Sequence, residues 1–224
     1  MTSILLATTV LSLCWPLLAS PAVAGEEQRP VRAQLERALT LLESTEAAEQ
    51  DQAAEILRGL PPAQVGPALL RPLESKQDRV RRVTLRLLRD VGYDKCRGRI
   101  RDMLRQDTDP TVRREASHAL VALHPDGAVD ALTTAAVHDR DVRVRRAALL
   151  DLGTLRTPEA LDSLIDQLEA QLDEGDDYLA GITMRSLTYC TGKTLGKNIE
   201  GWRHFAEEFK ERASEGEEDE QEVD

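Results

Sequence analysis

The segment DPTVRREASHALVAL, residues 109–123, predicts one amphipathic helix with a well-marked beginning. Its apolar side chains recur every three or four residues: Val112, Ala116, Ala119, Leu120 and Leu123. That spacing places them on one face of a helix with 3.6 residues per turn. Asp109 is the predicted N-cap, and the proline after it suits the first helical position. The segment is therefore expected to bury one face against a neighbouring helix.

The same pattern recurs 32 residues earlier and 32 residues later in the chain. Val-Arg-Arg stands at 80–82, 112–114 and 144–146. Half a repeat earlier, an apolar series keeps the same step: Ala68, Ile100, Leu132 and Leu164. Asp151 is the one polar residue that interrupts the apolar face of the later copy. Two independent features that share a period predict a stack of helix pairs, in which each pair buries the next.

The predicted architecture is all-α, an α-solenoid of about four to five antiparallel helix pairs with a C-terminal capping helix. The aromatic content of only 3% favours packing of Leu, Ala, Val and Ile between helices. Gly92 and Gly153 are predicted to mark helix ends, and Asp78 is predicted to begin a helix as Asp109 does. The expected pairs are 31–43 with 46–59, 63–74 with 79–91, 95–106 with 110–123, 126–138 with 142–153, and 157–172 with 178–190. The last pair is longer than the others, and its extra residues are assigned to a loop at 173–177.

The starts DPTVRREA (109–116) and DVRVRRAA (141–148) share the form D-x-x-V-R-x-x-A and resemble HEAT repeats of the short bacterial type. The resemblance extends over about residues 60–205. It implies a solenoid whose second helices line an inner curve, and a protein that binds a partner rather than one that catalyses a reaction.

In HEAT repeats, the arginine after the valine typically bonds an aspartate near the turn, which forms a ladder between layers. Carried over by position, the resemblance implies that Arg113 and Arg145 bond Asp109, Asp141 or an acid of a neighbouring repeat. Arg81 occupies the same repeat position and belongs to the same predicted ladder.

The next residue in each repeat is also an arginine, namely Arg82, Arg114 and Arg146. On neighbouring helices these three would form a basic stripe with steps of about 10 Å. The functional interpretation is a groove for an acidic protein partner, and the alternative is an ordinary solvated helix face. Residues 79–105 contain nine arginines and one lysine against three acids, although the whole chain has a formal net charge of −11.

The two ends of the chain differ from the repeats. Residues 1–24 contain no charged side chain, and Ala22-Val23-Ala24 resembles a cleavage site, so a secretory signal peptide is predicted. The protein is then expected to be exported, either periplasmic or secreted, or membrane-anchored if the leader is retained. Residues 25–60 are predicted to form N-terminal helices of weak repeat character, and residues 61–192 to form the HEAT-like repeats.

A capping helix is predicted at 193–213, with its apolar stripe made by Ile199, Trp202, Phe205 and Phe209. Residues 214–224 contain seven acids and almost nothing apolar, so a disordered tail is predicted. One hypothesis is that this tail lies over the arginine stripe and competes with ligands.

No catalytic residue, metal ligand or cofactor site is predicted. None of the four histidines stands at i, i+4 from another, and no cysteine lies beside them at ligand spacing. Cys96 and Cys190 are expected not to pair, because about three repeats separate them. Two alternatives remain open: a HEAT-like enzyme or factor of the bilin-lyase type, and a nucleic-acid-binding HEAT-like protein that uses the arginines. The acidic total and the leader argue against nucleic acid, and a monomer is expected.

Overall fold

A computed structural model describes the backbone of residues 21–221 and the side chains of residues 30–212. Residues 1–20, most of the predicted leader, and residues 222–224 lie outside the described part. The described range contains eleven α-helices and no strand. In chain order the helices are α1 (Pro21–Leu42), α2 (Ala47–Arg58), α3 (Pro62–Ala68), α4 (Asp78–Asp90), α5 (Arg97–Gln106), α6 (Pro110–Leu123), α7 (Val129–His138), α8 (Val142–Leu155), α9 (Pro158–Glu174), α10 (Asp177–Thr191) and α11 (Ile199–Gln221).

The helices pack as consecutive antiparallel pairs that form two layers. The second helices of the pairs, α2, α4, α6, α8 and α10, contact one another in that order. The first helices α5, α7 and α9 make the other layer, which α11 extends by packing against α9. This arrangement is the all-α solenoid that the 32-residue period predicted.

The core follows the repeat positions. Val80, Val112 and Val144 have no exposed surface, nor do Ile100 and Leu132 of the apolar series. Removing one such side chain from water contributes about 1.5–3 kcal/mol, so a row of equivalent positions holds the stack together. Because each second helix packs against the second helices of the neighbouring repeats, stability accumulates along the chain rather than in one centre.

Two predicted segments were wrong for identifiable reasons. The helix predicted over 63–74 ends at Ala68, and only a 3-10 turn, Pro72–Glu74, follows it. Its sequence contains Pro67 and Pro72, which lack the N–H that helical hydrogen bonds need. The extra residues of the last pair lengthen α9 to 17 residues rather than the loop, and α9 ends at Gly175 in the left-handed conformation (φ 74°).

Helix ends supply the remaining corrections. Gly92 does follow α4 in the left-handed conformation (φ 65°). Gly153 instead lies inside α8, which continues to Leu155 and is closed by Arg156 at φ 55°. Asp78 is the first residue of α4 rather than its N-cap, which is Gln77.

The C-terminal helix covers part of the last repeat. On α11, Trp202 is fully buried and its indole N–H donates to the carbonyl oxygen of Gly196 at 3.0 Å. The ring of Phe205 lies 6.1 Å from that of Phe209. The helical backbone runs to Gln221, through most of the acidic segment for which the sequence predicts disorder. Among the described helices, none has the length and apolar character needed to cross a bilayer.

Candidate partner-binding surface

The ladder arginines of α4 and α6 each hold an aspartate of the following repeat. Arg81 donates from Nε and Nη2 to the two carboxylate oxygens of Asp107, both at 2.7 Å. Arg113 makes the same fork to Asp139 at 2.7 and 2.8 Å. The third nitrogen, Nη1, donates in each case to a backbone carbonyl six residues back, that of Ser75 or Asp107. Bidentate pairs of this kind fix both distance and orientation between layers.

These pairs are buried. The side chain of Arg113 is 2% exposed and that of Asp139 is 6% exposed. The hydrogen bonds to Asp139 raise the pKa of the Arg113 guanidinium, against the opposing effect of burial. In both pairs, the acid is the aspartate that stands two residues before the N-cap of the next second helix.

Asp109 and Asp141 have a different role from the one carried over from the HEAT resemblance. Asp109 accepts from the backbone N–H of Thr111 at 2.7 Å and of Val112 at 3.1 Å, as an N-cap does. The Thr111 hydroxyl also donates to Asp109, and this bond lowers the pKa of the carboxyl group. Asp141 caps α8 through the N–H of Arg143, and the hydrogen bond from the Arg143 side chain lowers the pKa of Asp141 to about 2.

Arg145, the third ladder arginine, has no carboxylate partner in the described residues. Its Nη1 donates to the carbonyl oxygen of Asp139 at 3.0 Å, the same positioning bond that Arg81 and Arg113 make. Nε and Nη2 make no hydrogen bond, and neither is a buried atom. The ladder therefore consists of two bidentate pairs and one arginine that is held only at its third nitrogen.

The stripe residues lie on three successive second helices. We call the exposed side of α2, α4, α6, α8 and α10 the second-helix face. Arg82 and Arg114 are half-buried there and Arg146 is exposed. Arg82 donates to the Thr111 hydroxyl at 3.3 Å, and its buried Nε has no partner. Within the described residues, the guanidinium groups of Arg114 and Arg146 have no hydrogen bond or ion pair.

Several other arginines of the same helices are neutralised within the chain. Arg79 pairs with Asp51 of α2 at 2.8 Å. Arg86 and Arg89 both reach Glu115, at 2.9 and 3.3 Å. Arg114 and Arg146, by contrast, are arginines of the second-helix face whose charge no acid of the described chain neutralises.

The C-terminal part of this face also exposes large apolar and aromatic side chains. Tyr178 and Tyr189 on α10 are 54% and 59% exposed, and Leu150 on α8 is 37% exposed. The guanidinium of Arg156 lies 5.1 Å from the centre of the Tyr189 ring, within cation–π range. Sequence reasoning missed these residues because a single exposed tyrosine in a helix has no distinguishing pattern.

A buried polar group joins α6 to α8 beneath the face. Asp151, 8% exposed, accepts a short hydrogen bond from the Ser117 hydroxyl and bonds Nδ1 of His118 at 2.9 Å. This hydrogen bond raises the pKa of His118. Asp151 is the residue that interrupts the apolar pattern, and its partners explain why it is tolerated in the interior.

This polar group does not have the arrangement of a nucleophilic site. Ser117 is fully buried and donates to Asp151 rather than to the imidazole. A nucleophilic serine needs a base within hydrogen-bond reach and access to substrate. In the part of the chain that the structure describes, no cluster of His, Cys, Asp or Glu is suited to a metal ion. Cys96 and Cys190 are both free and buried, and burial raises the pKa of the Cys96 thiol to about 11.

The comparison with protein families shows which known repeats the chain is similar to. The family model for HEAT repeats matches residues 99–178, the stretch that runs from α5 into α10. Residues 99–178 are therefore similar to HEAT repeats. The match begins 39 residues after the start of the resemblance predicted for the HEAT repeats, which was placed at about residue 60.

Comparison with whole proteins adds little to this assignment. No curated protein matches the chain. Among solved structures, a crystal structure of an engineered protein is similar to it, with 21% sequence identity and a TM-score of 0.46. That similarity covers 70% of this chain and 79% of the engineered one.

Proposed function

We propose that this HEAT-repeat protein is a non-catalytic interaction scaffold that binds an acidic protein partner along its second-helix face. The observation that carries the proposal is the pair of uncompensated arginines, Arg114 and Arg146, at equivalent positions of α6 and α8. Arg79, Arg86 and Arg143 of the same layer are instead neutralised by acids of the chain. A partner carboxylate would supply the missing countercharge.

The geometry supports an extended partner. Arg82, Arg114 and Arg146 stand one repeat apart, which is about 10 Å per step between packed helices. A polypeptide in an extended conformation spans that distance in about three residues. Acids spaced at such intervals would meet successive arginines, and the exposed Tyr178 and Tyr189 would offer aromatic anchors further along. Arginine and tyrosine are enriched among the residues that dominate binding energy at interfaces.

We also propose that the protein acts outside the cytoplasm. The support is the uncharged, apolar character of residues 1–24 and the small residues at 22–24. The amino-terminal sequence of the protein purified from its native source tests this part. Export with cleavage gives Gly25 as the first residue, whereas a first residue of Met1 contradicts cleavage.

The interaction itself is tested by charge reversal on the two layers of the solenoid. The test variant is Arg114→Glu with Arg146→Glu, on the second helices. The matched control is Arg101→Glu with Arg105→Glu, which makes the same change of charge on exposed residues of α5. These control residues line a groove of about 440 Å³ between α5 and α7. Both variants are first compared with the wild type by circular dichroism.

Each protein is then used to capture partners from the native compartment, and bound proteins are quantified by mass spectrometry at 50 and 300 mM salt. We expect at least tenfold loss of an acidic partner in the second-helix variant and in high salt, with retention in the α5 control. Equal retention by both variants would contradict the proposal. Loss in the α5 control alone would move the interface to the groove between α5 and α7.

A further inference from the structure

The three copies of the ladder arginine differ in one respect. Arg81 and Arg113 each grip a carboxylate with Nε and Nη2 at 2.7–2.8 Å, while Nη1 anchors to a backbone carbonyl. Arg145 keeps the anchor, at 3.0 Å to the carbonyl oxygen of Asp139, and has no acid of the described chain at the other two nitrogens. The molecule thus provides two examples of what this side chain holds when its fork is complete.

The missing acid is explained by the shape of the last repeat. In the earlier repeats, Asp107 and Asp139 follow the first helix in an extended conformation (ψ 139° and 134°), two residues before an N-cap. The residue two before the N-cap Asp176 is Glu174, which is still helical and ends α9. Because α9 has 17 residues where α5 and α7 have ten, its turn differs from the earlier ones, and Glu174 makes no bond to Arg145.

Arg145 is nevertheless prepared to bind an anion. The bond from Nη1 restricts the side chain, so less conformational entropy remains to be lost when Nε and Nη2 find a partner. Arg145 is half-buried, and neither of the two unpartnered nitrogens is fully buried. The planar fork matches a planar carboxylate, which accepts two parallel hydrogen bonds.

We propose that Arg145 is a binding site for a single carboxylate of the partner protein, an Asp or Glu side chain, held in the same bidentate geometry as Asp107 on Arg81 and Asp139 on Arg113. The proposal rests on the proposed function, since the partner that follows the second-helix face supplies the acid. The bound carboxylate completes the ladder at the repeat where the chain does not complete it.

The first test uses acetate as the probe and needs no partner. The arginine Nε–Hε signals of the full chain are followed by ¹H–¹⁵N NMR during titration with sodium acetate, with acetamide at equal ionic strength as the neutral control. We expect a saturable downfield shift of the Arg145 signal with acetate alone, and no shift for Arg81 and Arg113, whose forks are occupied. A non-saturable shift, or one equal to those of Arg114 and Arg146, would overturn the proposal.

Two variants exclude occupants from within the chain. In Glu174→Gln, and in a chain ending at residue 213, the Arg145 signal is expected to stay where it is in the wild type before acetate is added. If either change moves that signal to a higher field, then the chain itself fills the fork and the proposal fails. Arg145→Lys keeps the charge and loses the fork, so at least a tenfold weaker response of the neighbouring backbone amides to acetate is expected.

The second test connects this site to the partner. Capture is repeated with Arg145→Gln, and at least fivefold loss of the partner is expected relative to the wild type. If the partner is lost from the variant with Glu at positions 114 and 146 and retained by Arg145→Gln, then the function stands and this inference fails. The acetate titration measures carboxylate binding at Arg145 without any partner. Failure of the proposed function is therefore distinguishable from failure of the Arg145 site.

Discussion

Arg113 of α6 and Asp139 of the next repeat form a buried, bidentate ion pair, and Arg145, one repeat later, has the same backbone anchor without the acid. This relationship gives a comparison at a single repeat position. It separates the contribution of the ion pair to the free energy of unfolding from the contribution of an arginine that has only the backbone anchor.

We expect Arg113→Gln to lower the free energy of unfolding by about 3–5 kcal/mol, because Asp139 would remain buried without its countercharge. Arg145→Gln is the matched control, and a loss within about 1 kcal/mol is expected, since that side chain has no ion pair to break. Urea unfolding followed by circular dichroism measures both. Equal losses in the two variants would show that the pair is not the source of the stability.

Gly153 sets the distance between α8 and α10. A methyl group added there would lie 2.9 Å from the backbone oxygen of Ser186 and 3.0 Å from its Cα, closer than ordinary contacts allow. Gly153→Ala is therefore expected to destabilise the protein by about 1–3 kcal/mol. Gly181→Ala, on α10 with no atom within 4 Å, is expected instead to stabilise it by about 0.5–1 kcal/mol through helix propensity. Thermal and urea unfolding of both variants test the opposite signs, and a neutral result at Gly153 would mean that the two helices can separate without cost.

His118 makes the contact between α6 and α8 sensitive to pH. The hydrogen bond to Asp151 raises the pKa of His118 in the folded protein. The negative charge of Glu115 also raises this pKa, and the positive charge of Arg89 lowers it. Its stabilising contribution is therefore complete below the unfolded pKa, about 6.5, and is lost as the pH rises through the folded value. The difference in unfolding free energy between the wild type and His118→Gln should be larger at pH 5.5 than at pH 8.5.

The control for this prediction is the same pair of measurements in an Asp151→Asn background, where the difference should no longer vary with pH. His124 titrates with the opposite sign, because burial lowers its pKa and acid must protonate it at a cost. The difference in unfolding free energy between the wild type and His118→Gln therefore isolates the contribution of His118, which the pH dependence of the wild type alone does not. A difference that is constant between the two pH values would contradict the role assigned to Asp151.

Leu120 lies in the core between helices, without exposed surface. Leu120→Asp places a carboxylate where it has neither water nor a partner, so a loss of several kcal/mol, about 3–5, is expected. Leu150→Asp makes the same chemical change on α8 at a side chain that is 37% exposed, and a loss below about 1 kcal/mol is expected. Similar losses at both positions would mean that the apolar face is assigned wrongly.

The sequence supported the helical stack because the evidence for it is local and repeated. Val80, Val112 and Val144 keep one spacing, and the side-chain positions of a helix follow directly from spacing. The N-cap role of Asp109 was predictable for the same reason, since a cap bonds N–H groups two or three residues away. The stripe of Arg82, Arg114 and Arg146 was also visible as a periodic position.

Pairing between repeats was decided only in the tertiary structure. The sequence offers Asp107 and Asp109 two residues apart, and nothing in their order says which one an arginine 26 residues away will meet. The conformation of the turn decides which aspartate the arginine meets. The turn after α9 likewise leaves Arg145 without an acid, because α9 is longer than the earlier first helices. Asp151 and Gly153 likewise looked like a misfit and a helix end. The packing of α8 against α6 provides the hydrogen bonds of Asp151, and the packing of α8 against α10 requires the small residue Gly153. Contacts between layers depend on backbone position and not on spacing along the chain.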